Sequence, residues 1–289
     1  MRAGVVSLPG VRARRTEAST LTAGKKSPRA EPLTLAVDLS LTTDLSALAL
    51  ATEVGDVARV AVEFWTPADT LRARADRDAI DYPLWVRQGY LNAVPGSTLD
   101  YTVIARRIAE IASKRQVKRV VFDRYKMPYL RNAMQELGLD LELVEHPQTF
   151  VRLKGSTLWM PESINQVESA VLEGTVQFWR NPVLTWCAAS AVVNIDEQGS
   201  RTFSKRKSTG RIDGLVAATM AIGALRTPQP EVDIAAWIVS LGSGRIMADQ
   251  IFTLRIPVAS TDAANVAAAM DQGASTVMTE IVAFVARKL

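Results

Sequence analysis

An α/β or α+β sandwich built on a mixed sheet is the fold that this sequence predicts, and three observations carry it. Apolar runs of strand length come first, at 35–50 and 57–65. Strand-like runs then alternate with segments whose apolar residues recur at helical spacing. Turn chemistry such as Pro95-Gly96 or Asp196-Glu197-Gln198-Gly199 separates them. No internal repeat is present.

In order, Leu35 to Leu50 reads as a β-hairpin. One acid, Asp38, stands at its mouth, and Ser40, Thr42, Thr43 and Asp44 make the turn. A strand over 57–65 ends at Thr66-Pro67. The charged, aromatic segment 69–91 is expected to cover a sheet edge with Tyr82 and Trp85 inward. Asp100 caps a helix from Tyr101 to Arg115, striped by Val103, Ile104, Ile108 and Ile111. The strand Val117 to Asp123 follows, then a helix over 124–138 with Leu130, Met134 and Leu137 inward and Gly138 as its stop. A strand at 139–145, helices at 161–173 and from Asn181-Pro182, a hairpin around 196–199 and a helix from Ile212 to Leu225 complete this body. Beyond a boundary at 226–232, two strands around a Ser-Leu-Gly-Ser-Gly-Arg turn precede an amphipathic helix carrying Val266, Met270, Val277, Ile281 and Val285.

Composition narrows the function. With 289 residues, 48% of them hydrophobic, the chain can bury a large core. A single cysteine, Cys187, excludes a disulfide framework and any cysteine-rich zinc site. No apolar run is long enough to span a membrane and no secretory h-region opens the chain, so a cytoplasmic protein without a membrane partner is expected. Residues 1–31 hold seven basic side chains against two acidic ones, a disordered basic tail that leaves the remainder at −1 of the total +4. The body is therefore not a uniformly basic nucleic-acid binder.

The chemistry rests on acids. Asp38, Asp123 and Asp213 each adjoin an apolar element, separated by 85 residues (38 to 123) and 90 residues (123 to 213). Such spacing excludes a local metal loop but allows one composite site at a sheet edge. Oxygen-only ligands suit Mg²⁺ or Mn²⁺. Two such ions about 4 Å apart activate water and stabilise the leaving oxygen of a phosphodiester, without a histidine base. Lys205, Arg206, Lys207 and Arg211 directly precede Asp213, where a phosphate backbone would lie. Against this stand plain readings: acids at strand ends are common, and a lysine run can be a solvated hairpin end. His146, the one histidine, reads as an ordinary structural residue.

Taken together, V-D-L-S-L-T-T-D-L-S-A-L, W-T-P, R-D-A-I-D-Y-P-L-W-V-R-Q-G-Y-L, P-G-S-T-L-D-Y, V-F-D-R-Y, N-P-V-L-T-W and S-K-R-K-S-T-G-R-I-D-G-L-V-A-A-T-M-A-I resemble, in this order, the C-terminal nuclease domain of the large terminase subunit of tailed bacteriophages, over about residues 33–226. The resemblance implies a ribonuclease-H-like mixed sheet flanked by helices over 32–228, followed by a small α+β extension at 229–289. It also implies a metal-dependent endonuclease that cuts concatemeric phage DNA during packaging in a bacterial host cell. Asp38, Asp123 and Asp213 match the family's catalytic metal ligands and Asp44 a further family acid, with two Mg²⁺ or Mn²⁺ ions as cofactors. Lys205, Lys207 and Arg211, in the basic run before the last acid, are expected to contact DNA. The implied partners are double-stranded DNA, a packaging ATPase, the small terminase subunit and the portal protein.

Departures accompany it. No G-x-x-x-x-G-K-[ST] loop occurs in these residues, so translocation would need a separate ATPase and the chain is expected to be a truncated gene, a split subunit or a prophage remnant. Ser190 stands where the family has asparagine, and Phe178 where histidine is frequent. The last 50 residues faintly resemble the end of transport-associated auxiliary lipoproteins, from which no transport is inferred. The competing readings are a non-catalytic remnant that binds DNA or a packaging partner, and a sugar-kinase or actin-like ATPase. The latter lacks its glycine-rich phosphate loops here.

Overall fold

The computed structural model describes residues 31–41, 44–154, 156–228, 231–236, 252–258 and 263–288. The basic tail up to residue 30, Thr42, Thr43 and the 240–245 turn lie outside them. The hairpin at the mouth of the site is β1 (Leu33–Asp38) paired antiparallel with β2 (Ser46–Val54), and β2 pairs antiparallel with β3 (Val57–Pro67). Helices α1 (Leu71–Asp78) and α2 (Tyr82–Arg87) lead to β4 (Asn92–Val94), parallel to β3. Tyr82 is fully buried and Trp85 half-buried, as the sequence predicts. Next come α3 (Thr102–Lys114), β5 (Val117–Phe122), α4 (Met127–Glu136) and β6 (Leu143–Glu145). Then follow α5 (Met160–Leu172), β7 (Val176–Phe178), α6 (Pro182–Ser190), the hairpin β8 (Val193–Ile195) with β9 (Arg201–Phe203), and α7 (Asp213–Arg226). Among the described residues the main sheet has the order β4-β3-β2-β1-β5-β6, with β7 also on β3. β1, β5 and β6 run parallel.

The alternation of β1 and β2 divides the core into two layers. Leu33, Leu35, Val37 and Leu48 face α3 and α4 with Ile104, Ile108, Leu130 and Met134. Ala36, Ala47, Ala49 and Ala51 face the other way, toward α7. Alanines there leave room for a helix to lie close on the sheet. Gly214 extends the approach, because a Cβ would collide with the Phe64 ring, and at Gly223 it would collide with Ser163 of α5. Consequently α7 is buried along nearly its whole length.

Several expectations are corrected. Leu137 is exposed, because α4 ends at Glu136 and Gly138 turns away at a φ of 67°. β6 is only the last three residues of the predicted strand. β7, after the Gly174 turn, is not among the expected strands and is too brief to show a period. Arg119, within the predicted strand Val117 to Asp123, is buried: its guanidinium donates to the carbonyls of Ala224 and, at 3.0 Å, Thr227. It thereby caps the carbonyl end of α7, where a cation also meets the negative pole of the helix. Burial pulls its pKa down from the usual arginine value.

His146 is enclosed, bonded through Nε2 to Ser163 Oγ at 2.8 Å, while its backbone N–H donates to Phe122 O at 2.7 Å. Burial lowers its pKa from 6.5 to about 4. Separately, β10 (Glu231–Ala236) and β11 (Phe252–Pro257) form an antiparallel pair on which α8 (Ala263–Lys288) packs. Val277 and Ala269 face inward and Gly273 lets Ile234 and Ile256 approach, whereas Met270, expected on the inner stripe, is exposed.

Two outcomes follow. Arg119→Met strands the last carbonyls of α7 and is expected to cost about 1–3 kcal/mol in urea unfolding. For His146, the unfolded chain takes up its proton near pH 6.5 and the folded one only near 4. Its contribution is therefore complete above 6.5 and lost as pH falls toward 4. From about pH 7 to about pH 4.5, the wild type should lose on the order of 2 kcal/mol more stability than His146→Gln. Equal losses in the two proteins would exclude this role.

Candidate active site

The site lies where the ends of β1 and β5 meet the start of α7. β1 and β5 are parallel with Val37 opposite Phe122, so Asp38 and Asp123 emerge beyond the same edge of neighbouring strands. Adjacent strands stand about 4.8 Å apart, which makes this a forced proximity of two acids. The buried α7 starts at this edge, and Asp213 is its first residue. The loop between β9 and α7 brings Lys205 and Arg211 to the same place.

Lys205 joins the acids rather than pointing away from them. Its Nζ lies 2.8 Å from Asp38 Oδ2 and 2.8 Å from Asp213 Oδ1. Asp38 and Asp213 side chains are only 6% and 2% exposed, whereas that of Lys205 is 41% exposed along its length. The remaining oxygens are also engaged: Asp213 Oδ2 accepts from the Leu45 N–H at 3.2 Å, and Asp38 Oδ1 from Gln148 Nε2 at 3.3 Å. Burial pushes the Asp213 carboxyl up, helped by Asp38 and Asp44 and opposed by Lys205. Burial works against the Lys205 ammonium, but Asp38 and Asp213 outweigh it and raise its pKa. Asp123 is raised by burial and by Asp38, against a hydrogen bond from the Tyr125 N–H.

Asp38, Asp44, Asp123, Gln148 and Lys205 line one cleft of about 370 Å³. Within it Asp44 is paired with Arg211 Nη1 at 2.5 Å. The same guanidinium reaches Asp78 of α1 at 3.4 Å, and Asp78 accepts from Tyr82 OH at 2.8 Å. Arg211 thus ties the hairpin turn to α1, with both carboxylates raising its pKa against burial. Lys207 is exposed. Ser190 and Phe178 do not line the cleft. Gln148 and the bridging geometry of Lys205 carried no signal in the sequence, because each depends on a contact more than 100 residues away.

Among the described residues no three carboxylate, imidazole or thiolate side chains form a group that could hold a metal ion. What the site does show is a cation held by two carboxylates, the Lys205 ammonium between Asp38 and Asp213. The donor set fits a hard cation, all oxygen and nearly buried.

A mixed sheet that opens with an antiparallel meander, continues with parallel strands and carries acids at the β1 edge and the start of a buried helix is the ribonuclease-H-like fold. Comparison with known proteins gives the family. The model for the terminase large subunit, endonuclease domain, matches residues 32–228, and the chain belongs to this family. It is 41% identical over 189 residues to the terminase large subunit of Enterobacteria phage HK97, covering 65% of this chain and 36% of that protein. The crystal structure of the HK97 bacteriophage large terminase superimposes with a TM-score of 0.61 at 40% identity, over 67% of this chain and 39% of that one. Protein YmfN of Escherichia coli (strain K12) is 25% identical over 223 residues, 73% of this chain and 47% of that protein. The chain spans between about a third and a half of the length of these curated relatives. No helix among the described residues is long and apolar enough to cross a membrane.

In chelator, Lys205→Met leaves two enclosed carboxylates without their cation. It is expected to destabilise the protein by about 1–3 kcal/mol, below the value for a fully buried pair because solvent reaches the lysine. Adding Asp213→Asn to Lys205→Met should recover most of that loss in thermal melts. A double variant as unstable as the sum of the two single ones would show that the bridge is not energetically coupled.

Proposed function

We propose that this chain is a Mg²⁺- or Mn²⁺-dependent DNA endonuclease that cuts concatemeric DNA during phage genome packaging. The observation that carries the reading is the convergence of Asp38 and Asp213 on one cation inside the segment that matches the terminase endonuclease family. Asp38 and Asp213 would hold the metal, with Asp123 completing the set from the neighbouring strand and Asp44 beside it. When bound, a metal pair supplies an activated water and charge stabilisation at the leaving oxygen.

The chain's own groups do the rest. Gln148 and the Leu45 N–H orient the outer oxygens of Asp38 and Asp213, so each carboxylate presents one fixed oxygen to the cation. Arg211 holds Asp44 and the hairpin turn against α1. With a metal held by the acids, the Lys205 ammonium, on its solvent-reaching stem, would be available to meet a phosphate of the bound strand, with the exposed Lys207 further along the same loop. Packaging ATPase, small subunit and portal protein are the partners that this reading implies.

The position of Lys205 also favours a second reading, a DNA-binding remnant whose internal ammonium has replaced the metal. Cleavage of supercoiled plasmid decides between them. With Mg²⁺ or Mn²⁺ the wild type should nick or linearise the plasmid, and Asp38→Ala and Asp213→Ala should each lower the rate by at least about a hundredfold. Binding without cutting in either metal would establish the remnant. Cutting that survives both substitutions would place the active site elsewhere.

A further inference from the structure

On the wall of the same cleft stands a group of side chains that the acids and their cation do not use. Tyr125 and Tyr129 are 63% and 61% exposed, unusual for two neighbouring aromatic rings. The Lys126 ammonium lies over both, 4.9 Å and 5.7 Å from their centroids. Behind them Tyr129 leans on the buried Tyr101, the two ring centroids 6.3 Å apart. Tyr125 and Lys126 line the cleft with Asp38, Asp123 and Lys205. The turn is bonded to the acids, because the Tyr125 N–H donates to Asp123 Oδ2 at 3.3 Å. Lys126 takes a left-handed φ of 62° and caps α4 without a side-chain hydrogen bond, so the positive end of that helix opens beside the rings. Arg124 is held aside by Glu145 at 2.6 Å.

An exposed ring with a cation beside it matches what a nucleic-acid strand offers: a base face to stack on and a phosphate next to it. In a closed duplex every base face is covered by its neighbours, so a ring can stack only on a base that has left the helix. The acids below would repel a strand on their own, which makes a nearby cation and an uncharged aromatic face the attractive parts of this wall.

We propose that Tyr125, backed by Tyr129 and Lys126, is a stacking platform for an unpaired base of the DNA strand lying in the acid cleft, with Lys126 meeting the adjoining phosphate. The proposal rests on the nuclease reading for the identity of the ligand as DNA. It adds that the site favours locally opened DNA over closed duplex and assigns the residues that do so.

The test is fluorescence anisotropy of the full chain, in Ca²⁺, with a fully paired duplex and with a forked duplex of the same length and sequence on one strand. The wild type should bind the fork more tightly. Tyr125→Ala should weaken fork binding about tenfold, with less than about twofold change on the paired duplex, and Tyr125→Phe should retain the preference. Lys126→Ala should weaken both DNAs alike and reduce the salt slope by about one. Equal fork affinity in wild type and Tyr125→Ala overturns the platform, as does a wild type that binds neither DNA or shows no preference. Plasmid cleavage by the same preparations separates the two ideas. A wild type that binds forks through Tyr125 but never cuts removes the nuclease and keeps the platform. Cutting by a protein indifferent to Tyr125→Ala does the reverse.

Discussion

The burial of α7 against the alanine face of the sheet is the constraint on which the site depends. A helix enclosed along nearly its whole length cannot slide or tilt without opening voids, so its first residue is placed as firmly as a strand residue. That first residue is Asp213. The small side chains Ala36, Ala47, Ala49 and Ala51, with Gly214 and Gly223 on the helix, set how near the helix comes to the sheet. Arg119 from β5 closes the other end, so the sheet strand next to β1 anchors the helix whose start faces β1. Core packing and site geometry here are one problem with one solution.

Two nearly buried carboxylates held close together require a positive charge, since like charges at this separation in a poorly solvated place oppose folding. The chain provides one in Lys205, and its loop position is significant. It lies eight residues before Asp213, on a connection rather than inside a strand or helix, with a stem that reaches solvent. Arg211, in contrast, is locked between Asp44 and Asp78 and serves as a brace. Two basic residues six positions apart in one run thus have different mechanical roles, which their shared charge conceals.

The cleft wall has a similar division of labour. Asp123 lines the cleft with Asp38 and at the same time accepts from the N–H of Tyr125, so the turn carrying that exposed ring is set by a residue of the cleft itself. The fold delivers an acidic floor and an aromatic, basic wall from adjacent residues of one strand end.

Much of this was legible in the sequence because it is local. The alternation of Leu and Ala through β1 and β2 marks both faces of the hairpin. Acids immediately after apolar runs mark strand ends, and Asn181 before Pro182 marks a helix start whose cap bond is present at 2.9 Å. Asp38, Asp123 and Asp213 could be named from such settings together with the family resemblance. What tertiary structure alone decided is which distant groups meet. Nothing near Lys205 in sequence says that its ammonium will sit between residues 38 and 213 rather than in solvent. Nothing near Arg119 says that a basic residue in V-K-R-V-V-F will turn inward to cap a helix more than 100 residues later. The exposed Leu137 and Met270 failed for the complementary reason: a periodic stripe states which residues could face a core, and only the neighbouring elements determine where the core stops. Periodicity and capping are properties of a few adjacent residues, whereas charge pairing across the fold is a property of the assembled packing.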